Sequence, residues 1–396
     1  MAGPGSCLEQ VAGNFKKTEI FYSKDAEYNI EQLFTRFNSI PVDSEKFIEM
    51  LELLTGFYGV VDADLKRIGD SDTLQKEDKM EKIKASKLMN TFTSGDFYRH
   101  YVKGLLSKDA KVFDRTVDFL LVMGQSIAEK HAAIYEDEEV IRAIVQSLKV
   151  KSKKIVYEHK SKKLTLATML VENSYRCAKD FVSLGGIQCI KEDLRSHFDL
   201  VFINSLYYEQ LLKLFSTVLA HDIKSNDLND KKFNYTLMGL LQECQNQESL
   251  KYVFSIITGL SNYEYNRQVL CQLGVFPRMM KFYEYCIEES DKEMLFRILG
   301  VFARLIKEAS FKTQLKCHTE LTNNFAPYFE PFNLESTSTE LAKLSSLQII
   351  RDMILLADNS GTRQNLVRSG YVKMLVTKCL GSSDQDSPLI GVAFDC

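Results

Sequence analysis

The chain of 396 residues is 45% hydrophobic and 26% charged, with 6 prolines and 19 glycines, so it reads as an ordinary folded protein with long stretches free to be helical. Its 50 basic and 53 acidic side chains leave a net charge of -3, which excludes a global field drawing it to nucleic acid or to an anionic membrane. Apolar runs such as VDFLLVMG at 117–124 fall far short of the roughly 18 to 20 residues that span a bilayer, and the 9 cysteines include no C-x-x-C pair, which argues against a zinc site or a disulfide framework.

Residues 1–12, opening MAGPGS, read as a flexible start or a cloning remnant. Residues 13–83 are expected to form an N-terminal helical cap, with an atypical capping unit at 28–60 and a polar insert at 60–83 that is a loop or an exposed helix. From 84 to 381 the pattern repeats. A first unit combines ASKLMNTFTSGDFYRHYVKGLL with KVFDRTVDFLLVMGQ, and a fainter one follows at 128–149. SYRCAKDFVSLGGIQCIKEDL at 174–194 then leads into FINSLYYEQLLKLFSTVLAHD, and ESLKYVFSIITGLSN at 248–262 precedes EYNRQVLCQLGVFPRMMKFYEYC at 264–286.

That last stretch carries two apolar helical patterns separated by a lone Gly274. Val269, Leu270 and Leu273 mark a short helix. Gly274 ends it, Pro277 suits the first turn of the next, and Phe276, Met279, Met280, Tyr283 and Ile287 share one side of that second helix. A third, longer helix is expected at MLFRILGVFARLIKE, with Leu295, Ile298, Leu299, Phe302, Leu305 and Ile306 as its buried stripe. A fainter copy at 311–332 and a clearer one at 362–380, with Gly370 at the corner, continue the series, and 382–396 is a tail or an incomplete last repeat. Unit starts near 128, 174, 220, 264, 310 and 361 give a period of about 46 residues, within the range of helical solenoids.

N-R-Q-V-L-x-x-x-G-V-F-P-R-M at Asn266 to Met279 resembles the junction of first and second helices in armadillo repeats, and Thr362 to Leu375 is similar, with Tyr175 to Ile187 a weaker match. The resemblance implies an all-α, right-handed superhelical solenoid of three-helix repeats whose third helices line a concave groove, and a role as a scaffold or adaptor that binds a partner peptide or helix. It also allows a regulator resembling exchange factors for a GTPase or an Hsp70-type partner. The chain has no tryptophan, which sets it apart from importin-like repeats that stack lysine stems on indoles.

The six histidines are scattered, and no H-E-x-x-H, G-x-S-x-G or phosphate-cradling glycine loop is present, so neither an enzyme nor a cofactor or small-molecule substrate is expected. The groove surface is assigned to outward positions of the third helices: Gln210, Lys213 and Thr217; Tyr252, Ser255 and Asn262; Arg297 and Arg304; and Gln348 with Asp352. Tyr252, Arg297 and Arg304 are the expected anchors, being residue types enriched at interface hot spots. Lys149, Lys151, Lys153, Lys154, Lys160, Lys162 and Lys163 form the one basic cluster, read either as a solvated linker between helices or as a localisation signal or a foothold for nucleic acid or acidic membrane. A reduced, cytoplasmic or nuclear setting is expected, and an uncapped end offers a route to a homodimer.

Overall fold

The computed structural model describes residues 35–68 except 36, 100–127 except 101 and 108, 138–149, and 157–317 except 197, 199–202, 204 and 290. All regular structure among the described residues is helical, as expected from the sequence. The chain divides into two compact units, Met1–Cys189 and Ile190–Cys396.

The first unit contains α1 (Glu45–Ile68), a 3-10 turn at Lys103–Leu106, α2 (Ala110–Ile127), α3 (Glu138–Lys149), α4 (Tyr157–Asn173), α5 (Tyr175–Ser183) and the start of α6 (Gly186–Ser196). α1 packs on α2 and α2 on α4, while α5 packs on both α3 and α4. The seam is apolar at helical spacing: Leu51, Leu54, Val117, Leu120, Leu164, Ala167 and Val171 are all buried.

The second unit continues with α7 (Leu206–Ala220), a 3-10 turn at Asn226–Leu228, α8 (Lys231–Glu243), α9 (Gln247–Leu260), α10 (Glu264–Gln272), α11 (Val275–Glu288), α12 (Lys292–Leu305) and α13 (Ala309–Cys317). α7, α9 and α12 pack in sequence as one row, and α8 packs on α9, α10 and α11. A single three-helix unit cannot cover its own apolar face, so burial of Leu211, Phe215, Val253, Ile257, Ile298 and Phe302 needs the neighbouring row members.

Short polar side chains start these helices by accepting the backbone N–H three residues on. Ser174 accepts from Cys177, Ser205 from Tyr208, Asp230 from Phe233, Asn246 from Ser249 and Asp291 from Met294. The corners between first and second helices lie where the sequence places them. Gly185, between α5 and α6, has φ +83, and Gly274, between α10 and α11, has φ +74, a region that a Cβ disfavours.

The predicted core of the Gly274 corner is observed: Val269, Leu270, Phe276, Met279, Met280 and Tyr283 are buried, while Leu273 is half-buried. Ile298, Phe302, Leu305 and Ile306 are buried on α12; the side chains of Ile287, Leu295 and Leu299 lie outside the described set. Two expectations change and one narrows. α12 is no longer than α11, each having 14 residues, because Ile306 caps α12 at the next repeat's turn. Of the two readings of the polar insert at 60–83, helix holds as far as Ile68, where α1 ends. The lysine-rich segment is not all linker, because helix α4 begins at Tyr157 and takes up its C-terminal half. The unit at 311–332 is described only to 317. The corner at 362–380 with Gly370, and the tail at 382–396, lie outside the described residues.

Candidate functional site

The second unit holds a cleft of 1050 Å³ at the C-terminal ends of α7 and α9. Ser216 and Leu219 of α7 line it from one side, Ser255, Thr258 and Asn262 from another, and Arg304 from the last turn of α12. The remaining wall is the segment between α7 and α8, which contributes Asp222, Lys224, Ser225, Asn226 and Asn229.

That wall exists because the repeat starting near 220 lacks a full first helix. HDIKSNDLND carries no apolar period, and the chain forms only the 3-10 turn Asn226–Leu228 where its neighbours form α5 and α10. α7 ends at His221, and Asp222 then takes φ +50, the left-handed conformation that more often falls to glycine after a helix.

Four main-chain carbonyls of the wall are tied down. Tyr263 Oη donates to Ile223 O at 2.8 Å, Lys191 Nζ to Asp227 O at 2.6 Å, and Asn266 Nδ2 to Leu228 O at 3.1 Å. Asn226 O accepts from the Asn229 N–H at 3.0 Å within the turn. The tying groups are themselves buried and partnered. Asn266 is fully buried and accepts from Asn234 Nδ2 at 2.9 Å, and its own amide also reaches Asn229 Oδ1 at 3.4 Å. Lys191 is 2% exposed and pairs with Asp230 at 2.8 Å. Burial alone would raise the Asp230 carboxyl, but the bond from Lys191, the Phe233 N–H and the nearby charges of Lys191 and Arg195 hold it below its usual range.

The opposite wall is fixed by Arg267. Its Nη1 donates to Ser261 O at 3.1 Å and to Asn262 O at 3.3 Å, closing the C-terminus of α9, while its Nε bonds Glu308 Oε1 at 2.8 Å. The cleft floor is rich in back-bonded hydroxyls: Ser255 Oγ donates to Lys251 O at 3.0 Å and Thr258 Oγ1 to Phe254 O at 2.9 Å, which turns their oxygens outward as acceptors, that of Ser255 already accepting from Arg297.

Of the residues assigned to the groove, Ser255, Asn262 and Arg304 meet in this cleft. Gln210, Lys213 and Thr217 sit on α7 outside its lining; Thr217 Oγ1 donates to Lys213 O at 2.9 Å, and its neighbour Ser216 faces the cleft instead. Tyr252 and Arg297 form a second group toward the N-terminal halves of α9 and α12. Arg297 Nη1 donates to Ser255 Oγ at 2.7 Å. The Tyr252 hydroxyl is pushed up by burial and by the charges of Glu209 and Glu248, with Arg297 and Lys251 opposing. Gln348 and Asp352 lie outside the described residues. The loop wall was missed in the sequence, although the absence of a helical period just after His221 marks it.

The structure distributes the basic cluster over two helices. Lys149 ends α3 and donates to Leu184 O at 2.8 Å. Lys160, Lys162 and Lys163 are on α4, where Lys162 pairs with Asp118 at 2.8 Å and Lys163 with Asp114 at 3.5 Å while lying 4.4 Å from the Phe113 ring centre. Lys151, Lys153 and Lys154 lie outside the described residues. Burial pushes the thiols of Cys271 and Cys286 up to about 11, and that of Cys244 also upward, so these cysteines stay protonated at neutral pH. Among the described residues no three metal-ligating side chains cluster, and no helix is long and apolar enough to cross a membrane.

No protein-family model matches the chain, and no curated protein matches it. Solved structures do. A structure from work on a phosphorylation switch in the interaction between cadherin and beta-catenin aligns over 94% of this chain and 78% of its own, with TM-score 0.57 and 11% identity. A designed armadillo repeat protein covers 64% of this chain and 98% of its own at TM-score 0.46 and 13% identity. A further designed armadillo repeat protein, in complex with peptide (KR)4, covers the same 64% at TM-score 0.43 and 14% identity. The chain has an all-α, armadillo-like fold, as its Asn-Arg and glycine-corner motifs lead one to expect.

Proposed function

We propose that the chain is a non-catalytic binding module that holds a segment of a partner protein in the cleft of its second unit. The observation that carries this reading is the cleft itself. At 1050 Å³ it stands at the upper end of the roughly 300 to 1,000 Å³ of small-molecule pockets, room enough for several residues of a peptide. It is lined by hydroxyls, amides and single charges suited to a peptide backbone and its polar side chains, and Arg267, Tyr263 and Asn266 hold its walls in place before any ligand arrives. Beta-catenin, the neighbour named above, takes part in an interaction with another protein, and partner binding by this chain is the same kind of activity.

The anchors are therefore Arg304, Asn262 and Ser255, with Tyr252 and Arg297 extending the surface along α9 and α12. A random peptide library panned on the immobilised chain tests this. Asn262 is exposed, so Asn262→Trp fills the cleft without touching the core. Enriched peptides are expected to lose roughly tenfold or more in affinity for that variant while its helical circular dichroism is unchanged. Failure to enrich any peptide, or binding indifferent to Asn262→Trp, would overturn the reading.

A further inference from the structure

The wall between α7 and α8 stands where the neighbouring repeats have a first helix, and it presents side chains that no helix would place there. Lys224 and Asn226 are exposed on it, and Arg304 is exposed across the cleft on α12. Among the described residues neither Lys224 nor Arg304 has an ion pair or a side-chain hydrogen bond. This contrasts with Lys162, Lys163, Lys191 and Arg267, whose charges are each matched by a carboxylate. The one carboxylate lining the cleft is Asp222, so among the lining residues two cations face one anion.

Resting on the peptide-binding reading above, we infer that the segment 221–230 is a fixed recognition wall and that the cleft selects an extended peptide carrying an acidic side chain, received between Lys224 and Arg304. Three features lead there. The wall's carbonyls at Ile223, Asp227 and Leu228 are held from both sides by Tyr263, Lys191 and Asn266, so Lys224 and Asn226 project from a frame that pays little ordering entropy on binding. Asp222 keeps a left-handed backbone without being glycine, a local strain of the kind found where geometry serves a ligand. The two cations without partners come from different elements, so a carboxylate between them is reached from both walls and a lysine in the same place is repelled by both.

The test is fluorescence anisotropy with three fluorescein-labelled peptides of about a dozen residues, alternating serine with glutamate, with glutamine or with lysine, at low salt where charge selectivity is clearest. The glutamate peptide is expected to bind roughly tenfold more tightly than the glutamine peptide. The double variant Lys224→Gln, Arg304→Gln should erase that difference, the glutamate peptide losing roughly tenfold more affinity than the glutamine peptide does. Both substituted side chains are exposed, so the variant keeps its thermal midpoint. If all three peptides bind alike, or the lysine peptide binds best, and Asn262→Trp still blocks them, the acidic preference is overturned and the peptide-binding reading stands. If the glutamate preference survives the double variant, the assignment to Lys224 and Arg304 is overturned. If none of the peptides binds, and library panning also fails, both readings fall together.

Discussion

Gly274 and Asp222 both turn the chain out of a helix through positive φ, at +74 and +50, and their substitutions should behave in opposite ways. A Cβ at Gly274 meets nothing closer than Pro277 Cγ at 3.9 Å, so the cost of Gly274→Ala is conformational and not steric. We expect it to be about 1 to 2 kcal/mol in urea denaturation. Asp222→Gly removes the same penalty and should leave stability unchanged or slightly raised, whereas Asp222→Val should lower it by about 1 to 2 kcal/mol. His100 is a third residue with a readable signature. It packs edge-on against Phe37 and Phe47, with ring centres at 4.9 and 5.6 Å, and its Nε2 lies 3.1 Å from Ile40 O. Burial lowers its pKa below 6.5, assisted by Lys103 and opposed by the carbonyls of Ile40 and Phe37. The unfolded chain therefore takes up a proton more readily than the folded one. The stabilisation from a neutral His100 is fully present above pH 6.5 and is lost as pH falls through the lower, folded-state value. Denaturation midpoints at about pH 8 and about pH 5 should show a drop that is smaller in His100→Gln.

Between elements, the repeats of the second unit are held to one another by buried polar side chains as well as by apolar stripes. Asn266 reaches back from α10 to Asn234 and to the turn at Leu228, and removing it strands a buried amide and a carbonyl. Asn266→Ala should cost about 2 to 3 kcal/mol. Lys191→Ala should cost about 3 kcal/mol, because Asp230 loses its closest cation and the stem leaves a hole, while Lys191→Met keeps the stem and should cost about half as much. Guanidinium chloride titrations of both series would check the order. The elements themselves were legible in the sequence: the apolar periods of α7, α9, α10, α11 and α12 and the glycine corners are local patterns, and they survive folding. The ties were not. Asn266 and Arg267 were readable as a motif, but their partners Asn234, Leu228 and Glu308 lie 32 to 41 residues away, and no local period records them. Thr217 is read as outward while Ser216 faces the cleft because one residue on a helix rotates a side chain by about 100°, a margin that pattern alone does not resolve. The loop wall went unread because it departs from the repeat, and a period reports what recurs.

For the whole molecule, stacking of repeats makes most contacts local in sequence, so cooperativity should be limited. Unfolding followed by circular dichroism and by hydrogen exchange is expected to give transitions that do not coincide. The slowest amides should lie in α7 and α9, where Tyr208, Phe215, Val253, Ile256 and Ile257 are fully buried; uniform exchange across all helices would contradict this.

The ties between repeats also set an order in time. During synthesis the chain emerges from its N-terminal end, and Asn234 is exposed to the cell 32 residues before Asn266 can meet it. Arg267 likewise waits for Glu308. The repeats that carry Asn234 and Arg267 therefore leave the ribosome with a polar partner still to come, so each stays open to water and to chaperones until the next repeat arrives to close it.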